Sequence, residues 1–264
     1  RHGPAHHPLR PACRLIGCGR KALARSHLVL RDTRRLATTA PRMDSLEHLD
    51  PALTSGLAAL GFAPEPLAPR LLDYLALLVR WNGTYNLTAI RDPAEMLSKH
   101  LFDSLAIAPF VHGALADIGS GAGLPGIPLA LARPELAITL IESNGKKARF
   151  LREARRHLGL GNLVVAESRA ESFQAAAQFD CLVSRAFGSL AEFVRVGGHL
   201  LRDGGQLLAM KGQQPADEIA ALPAGWRVAG THALAVPDLL AERHLLVIER
   251  NPSTRTGHGK ETAA

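Results

Sequence analysis

The sequence predicts an α/β fold built on a parallel, Rossmann-like sheet, with a helical region in front of it. Between residues 111 and 250, short apolar runs alternate with longer segments of helical periodicity, which is typical of a parallel sheet with crossover helices. The first of these runs, residues 115–118, leads directly into a glycine-rich turn, as it does in nucleotide-binding folds. A chain of 264 residues is long enough for one large domain with a small appendage.

Helical periodicity dominates the segment that precedes the sheet. Leucines at helical spacing predict helices over residues 50–61 and 67–83, with Gly83 ending the second. Asp92 and Pro93 predict the cap and first turn of a third helix. His100 and Asp103 lie three positions apart on that helix, so they share a face; His100 either bonds Asp103 or the backbone, or contacts a substrate.

The strands after the glycine turn follow from apolar runs bounded by polar or glycine residues. Four are predicted at residues 137–141, 162–166, 179–185 and 206–210. A turn at residues 204–205 precedes the last of them. Residues 226–229 and 244–249 predict an antiparallel pair that closes the sheet.

The glycine-rich turn over residues 119–126 predicts a nucleotide-like ligand. Gly119, Gly121 and Gly123 permit positive φ and close approach of a ligand, and the helix start that follows presents free N–H groups. The spacing of Gly121, Gly123 and Gly126 also fits the dinucleotide fingerprint. The glycines alone therefore leave two ligand classes open.

Two carboxylates favour one of these classes. Asp117 stands two residues before the first glycine, where it would repel a diphosphate and attract a cationic ligand. Glu142 ends the next strand, where it can accept hydrogen bonds from both ribose hydroxyls of an adenosine. This arrangement resembles the S-adenosylmethionine site of Rossmann-like methyltransferases, and it favours that donor over a nicotinamide cofactor.

Three further positions are predicted to border the same ligand. Ala170 and Glu171 follow the third strand, where they can present backbone and carboxylate to an adenine amine. Arg185 ends the fourth strand and points into the ligand crevice, although pairing with Asp180 or Glu171 is the alternative.

The positive charge of the chain is concentrated at its beginning. Residues 1–42 carry ten Lys or Arg and one Asp, so +7 overall minus +9 leaves −2 on the other 222 residues. We expect residues 1–42 to be a disordered leader, as a targeting peptide or an upstream region read through in translation, with Met43 as the native start. A basic RNA-binding arm is the alternative. Residues 251–264 are predicted to be a disordered tail.

In the rest of the chain, the best candidate for contact with RNA phosphates is the helix after Glu142. Its apolar positions Ala148, Leu151 and Leu158 face the sheet, which leaves the basic side chains outward. The residues predicted to bind RNA are Lys146, Lys147 and Arg149. A solvated helix face is the alternative interpretation.

Cysteine content and hydropathy exclude other classes. Only Cys181 lies outside residues 1–42, so a disulfide framework and a four-ligand zinc site are both excluded, and Cys181 is predicted to be a core residue. No apolar run approaches the roughly 20 residues that span a bilayer. We therefore expect a cytoplasmic protein with no metal. We also expect a monomer, although no residue pattern indicates the oligomeric state.

Several motifs together resemble one family, the RsmG or GidB methyltransferases. The matching segments are residues 81–88, 91–93, 100–104, 117–128, 184–187, 211–212 and 242–244. They fall in the right order over about residues 50–250. The resemblance implies a class I methyltransferase fold and methylation of N7 of guanine 527 in 16S ribosomal RNA. Naked RNA, a ribosomal subunit and an assembly intermediate all remain open as the substrate.

The resemblance also implies which residues hold the methyl donor. They are Gly119, Leu124, Glu142, Ala170, Glu171 and Arg185, and the pattern of the glycine turn adds Gly121 to this predicted donor site. N7 of guanine already carries a lone pair, so we name no general base and expect alignment of the reactants to supply catalysis. A nicotinamide oxidoreductase and an RNA-binding factor with a vestigial pocket remain the alternatives.

Overall fold

The computed structural model describes residues 46–185 and 187–252. The predicted leader, Met43 and residues 253–264 of the predicted tail lie outside the described residues. The first described element is a short 3-10 turn, Glu47–Leu49. The helices that follow confirm the predicted helical N-terminal region. Its helices are α1 (Asp50–Ala59), α2 (Pro64–Tyr85), α3 (Pro93–Met96) and α4 (Asp103–Leu105), with a π-helical segment, Leu97–Phe102, between α3 and α4.

A seven-stranded sheet follows the helical region. Its strands are β1 (Ala114–Ile118), β2 (Ala137–Glu142), β3 (Leu163–Glu167), β4 (Phe179–Arg185), β5 (Leu201–Lys211), β6 (Trp226–Ala233) and β7 (His244–Arg250). The spatial order is β3-β2-β1-β4-β5-β7-β6. Strands β1 to β5 are parallel, and β7 pairs antiparallel with both β5 and β6, which confirms the predicted closing pair.

The sheet order reverses between β1 and β4, and this position decides where a ligand can bind. In open α/β sheets the crevice lies outside the carboxyl ends of the strands at such a switch point. Helices cover both faces of the sheet: α5 (Gly126–Ala132), α6 (Gly145–His157), α7 (Leu190–Gly197) and α8 (Ala216–Ala220). The glycine turn lies between β1 and α5, at the edge that contains this crevice.

Two hydrophobic clusters fill the faces of the sheet. Alternate β1 residues belong to different clusters: Leu115 packs with the N-terminal helices, α5 and α6, whereas Ala116 and Ile118 pack with α7. Cys181 is fully buried, as predicted for a core residue. The N-terminal helices therefore complete one side of the sheet's own core.

Two predicted boundaries are wrong in detail. Helix α2 does not end at Gly83 but runs to Tyr85, and Asn86 ends it in the left-handed conformation, with φ of 51°. Asparagine tolerates this conformation better than most residues, so glycine is not required there. The predicted turn at residues 204–205 lies inside β5, where pairing with β4 shifts register between Phe179 and Cys181.

Two helical glycines give opposite expectations for stability. A methyl group at Gly56 in α1 would lie 2.1 Å from Cζ of the buried Phe102, whereas one at Gly83 in α2 would meet nothing within 4 Å. Gly56→Ala should lower the free energy of unfolding by about 1–3 kcal/mol through overpacking. Gly83→Ala should raise it by up to about 1 kcal/mol through helix propensity. Urea denaturation measures both, and equal effects would contradict this packing.

Candidate functional site

The glycine turn divides into two functional halves. Gly119 and Gly121 have φ of +70° and +58°; a Cβ at Gly119 would meet nothing within 4 Å, and one at Gly121 only a carbonyl oxygen at 3.8 Å. By contrast, a Cβ at Gly123 would lie 2.3 Å from Cδ1 of Ile127, and one at Gly126 would lie 2.3 Å from Cδ2 of Leu140. The first half therefore borders open space, and the second half allows close packing against the helix and sheet.

Glu142 holds the open half of the turn in place. Its carboxylate is buried and accepts hydrogen bonds from the amides of Gly121 and Asn144, both at 2.8 Å. The amide of Gly119 donates to the carbonyl of Ile141 at 2.9 Å, so the turn is attached to the end of β2 at two points. Leu124, from the same turn, is buried. Each Glu142 oxygen keeps a second lone pair for a ligand hydroxyl.

Asp117 holds the packed half of the turn. Its Oδ2 accepts from the amide of Gly126 at 2.9 Å, while its Oδ1 is buried with no hydrogen-bond partner among the described residues. Burial raises the pKa of this carboxyl to about 7, although the Gly126 amide and the charge of Arg185 act in the opposite direction. A buried, unsatisfied carboxyl oxygen at a strand end is characteristic of a ligand site.

The other predicted donor-site residues lie at the same edge of the sheet. Ala170 begins a short 3-10 turn after β3 and is buried, and Glu171 beside it is exposed. The neighbouring amide of Ser168 donates to the carbonyl of Glu142 at 3.2 Å, which ties this loop to the end of β2. Arg185 is the last residue of β4. The structure therefore brings the carboxyl ends of four parallel strands together.

Arg185 does not pair with Asp180 or Glu171, the alternatives that the sequence left open. Its Nη1 contacts the carbonyl of Lys99 at 3.0 Å and Oδ2 of Asp103 at 3.4 Å. Nε of Arg243, the residue immediately before β7, donates to the other Asp103 oxygen at 3.0 Å. We call Asp103, Arg185 and Arg243 the Asp103 cluster. Burial raises the pKa of Asp103, and the two guanidiniums oppose that shift.

His100 is held next to the cluster as a neutral side chain. Burial and the charge of Arg185 lower its pKa to about 4. Its Nε2 lies 2.8 Å from Oγ1 of Thr88, and its Nδ1 lies 2.9 Å from the carbonyl of Lys99. A carbonyl can only accept, so Nδ1 carries the proton and Thr88 donates to Nε2. His100 therefore bonds the backbone and Thr88, and not Asp103.

The three predicted RNA-binding residues lie along α6 as expected. Lys146 and Arg149 are exposed and Lys147 is half-buried, whereas Ala148, Leu151 and Leu158 are buried. Within the described residues, these three cations have no ion-pair partner. Further along α6, Arg152 pairs with Glu167 and Arg156 with Glu153, both at 2.7 Å. The start of α6 therefore has more uncompensated positive charge for contact with phosphates than the rest of the helix.

The sequence gave no indication of the structural role of three important side chains, although two of them, Asn82 and Arg243, lie in the segments that resemble the family. Tyr74 lies among leucines of α2, yet its buried hydroxyl donates to the carbonyl of Ala122 at 2.7 Å and so supports the glycine turn. Asn82 orders the connector after α2 by binding Thr88 and Ile90. Arg243 reaches Asp103 across 140 positions. Their partners are distant or backbone groups, which a residue pattern does not reveal.

These features define a class of protein. The sheet order with β7 antiparallel, the glycine turn after β1 and the carboxylates that end β1 and β2 are those of a Rossmann-like class I methyltransferase. The family model for GidB, rRNA small subunit methyltransferase G, matches residues 68–246. The chain belongs to this family.

Curated relatives agree with this assignment. The chain is 62% identical over 208 residues to ribosomal RNA small subunit methyltransferase G of Stenotrophomonas maltophilia K279a, covering 76% of this chain and 98% of the relative. It is 61% identical over 201 residues to the protein of the same name from Xanthomonas campestris pv. campestris B100, covering 76% of this chain and 94% of the relative.

Among solved structures, TrmN from Thermus thermophilus matches 59% of this chain and 53% of the TrmN chain, with 19% identity and a TM-score of 0.44.

The described residues provide neither a metal site nor a membrane-spanning helix. No group of three or more His, Cys, Asp or Glu side chains in this part of the chain could hold a metal ion. None of the described helices is both long and apolar enough to cross a membrane.

The raised pKa of Asp117 predicts a pH-dependent stability. Its folded-state pKa lies above the ordinary value of 3.8, so the folded protein binds this proton more tightly than the unfolded chain does. The resulting stabilisation is full below about pH 4 and is lost as the pH rises toward 7. Asp117→Asn keeps an acceptor for Gly126 but does not titrate. Denaturation from pH 4 to 7 should show wild-type stability falling relative to the variant, and a constant difference would contradict the assignment.

Proposed function

We propose that this protein transfers a methyl group from S-adenosylmethionine to N7 of guanine 527 in 16S ribosomal RNA. The observation on which this rests most is the glycine turn held by two buried carboxylates, in a chain that belongs to the GidB family. Its named relatives are ribosomal RNA small subunit methyltransferases, which supports rRNA as the substrate. Family membership favours this function over that of a nicotinamide oxidoreductase.

The residues at the strand ends fit the proposed donor. Gly119 and Gly121 leave open space where side chains would otherwise project, and the unpartnered Asp117 oxygen provides negative potential for a cationic ligand. Glu142 retains lone pairs for the ribose hydroxyls. The residues that we propose to hold the donor are Gly119, Gly121, Leu124, Glu142, Ala170, Glu171 and Arg185.

The proposed methyl transfer requires little from the protein beyond alignment of the two reactants. When bound, the sulfonium donor supplies a methyl group whose carbon–sulfur bond breaks as the bond to N7 forms, leaving a neutral thioether and a positively charged guanine. No proton has to leave N7 first, so His100, which is neutral and already bonded at both nitrogens, is not needed as a base. The protein's contribution is to hold the two reactants in line and to exclude water.

A direct assay tests this proposal. Small ribosomal subunits and naked 16S rRNA that lack the modification are incubated with the protein and labelled S-adenosylmethionine, and N7-methylguanine is then mapped. We expect label at guanine 527 in at least one of the two substrates. Label at another base, or binding of the RNA without any transfer, would contradict the proposed activity.

Valine substitutions at two glycines with similar backbone conformations distinguish the effect of a blocked donor site from the effect of backbone strain. Gly119 and Gly61 have φ of +70° and +82°, and a Cβ at either would meet nothing within 4 Å. Valine therefore introduces comparable backbone strain at both positions. Gly119→Val should abolish binding of S-adenosylhomocysteine in calorimetry, because its side chain enters the proposed donor space. Gly61→Val, in the connection between α1 and α2, should keep wild-type affinity; equal losses would reject the site.

The start of α6 gives a second pair of matched variants. Lys146 and Arg149 have no ion-pair partner among the described residues, whereas Arg156 pairs with Glu153. Lys146→Gln with Arg149→Gln should weaken rRNA binding, most strongly at low salt, and reduce the slope of log affinity against log salt by about 2. Arg156→Gln should leave the slope unchanged. A slope that is the same in all three proteins would indicate a solvated helix face.

A further inference from the structure

A second pocket lies beside the donor site, at the carboxyl ends of β4 and β5. It has a volume of about 410 Å³, and its polar lining includes the Asp103 cluster together with Lys99 and Lys211. Arg185 is the one residue that it shares with the proposed donor site. Val183 of β4 pairs with Asp117 at the end of β1, and Arg185 follows two residues later at the end of β4, so it lies at the sheet edge where β1 leads into the glycine turn. A molecule in this pocket would therefore be adjacent to the donor.

The pocket has an excess of positive charge. Lys99 pairs with Glu95 at 2.8 Å and Lys211 pairs with Glu218 at 2.9 Å, so neither lysine adds net charge to the pocket. The Lys99 pair is exposed and therefore weak, so Lys99 can exchange Glu95 for a phosphate in the pocket. The remaining two cations, Arg185 and Arg243, share the single carboxylate of Asp103. One positive charge is left over in a partly buried position. Such a pocket favours an anionic ligand.

The two guanidiniums are fixed in place and still have donors to offer. Arg243 uses Nε for Asp103 and Nη1 for the carbonyl of Glu242, at 3.0 and 2.8 Å. Arg185 uses Nη1 for the carbonyl of Lys99 and for Asp103, at 3.0 and 3.4 Å. Among the described residues, no group accepts a hydrogen bond from Nη2 of either arginine. Because Asp103 and backbone carbonyls already hold both guanidinium groups, the two arginine side chains lose little conformational entropy when they bind an oxyanion.

The apolar part of the lining suits a nucleobase. Ile90 and the buried Met210 border the pocket alongside the charged residues. A ligand with a flat apolar body and an anionic group, such as a nucleoside monophosphate unit of RNA, matches both parts. Inorganic phosphate alone would leave the apolar part unused.

We propose that this pocket receives the acceptor nucleotide, with Arg243 and Lys99 binding its phosphate and with Ile90 and Met210 against its base. This inference rests on the proposed function, since it assigns the methyl acceptor to the pocket adjacent to the donor site. In this arrangement Asp103 orients Arg243 toward the phosphate while it also holds Arg185 at the boundary between the two sites.

The test uses the full chain saturated with S-adenosylhomocysteine and titrated with guanosine 5′-monophosphate or with guanosine. We expect the monophosphate to bind saturably and at least tenfold more tightly than guanosine. Arg243→Gln should weaken monophosphate binding at least tenfold. Lys99→Gln, a change at the exposed pocket rim that leaves the Asp103 cluster intact, should weaken it at least threefold. Arg195→Gln, which alters an exposed cation on α7, is the control and should have no effect.

The possible results separate this inference from the proposed function. If S-adenosylhomocysteine does not bind the wild-type protein, the proposed function fails. If it binds and methyl transfer proceeds, but guanosine binds as well as the monophosphate, the phosphate assignment is overturned. Absence of monophosphate binding to the wild-type protein, or unchanged binding in Lys99→Gln, overturns the pocket assignment even where Arg243→Gln is too unstable to measure.

Discussion

The candidate site depends on two buried carboxylates that hold one glycine turn. Glu142 binds the amide of Gly121 and Asp117 binds the amide of Gly126, so each half of the turn is attached to the end of a different parallel strand. A turn with this much conformational freedom would otherwise be mobile. Because the strands are rigid and adjacent, the carboxylates fix the open half of the turn as a preformed surface. Such preorganisation lowers the entropy that a ligand must lose on binding.

The Asp103 cluster connects the helical region to the same edge of the sheet. Asp103 begins α4, Arg185 ends β4 and Arg243 immediately precedes β7, so three distant parts of the chain meet at one buried carboxylate. A buried carboxylate that lost these partners would be strongly destabilising. The helical region is therefore a wall of the candidate site as well as part of its core, and it was not foreseeable as such from its leucine pattern.

The sequence was most informative where a function depends on local geometry. Positive φ at Gly119 and the strand-ending position of Glu142 follow from neighbouring residues, and both predictions agree with the structure. The end of α2 at Asn86 was missed because glycine is only one of the residues that accept a left-handed conformation. The link between Asp103 and Arg243 was missed because 140 residues separate them, and only the completed sheet brings them together.

The most direct measurement of the central constraint is hydrogen exchange at two individual amides, followed by NMR. In the wild-type protein, the amides of Gly121 and Gly126 should both be protected, since each donates to a buried carboxylate. Glu142→Ala should accelerate exchange at Gly121 at least tenfold and leave Gly126 protected. Fast exchange at both amides in the wild-type protein, or no change at Gly121 in the variant, would contradict the view that these carboxylates hold the turn.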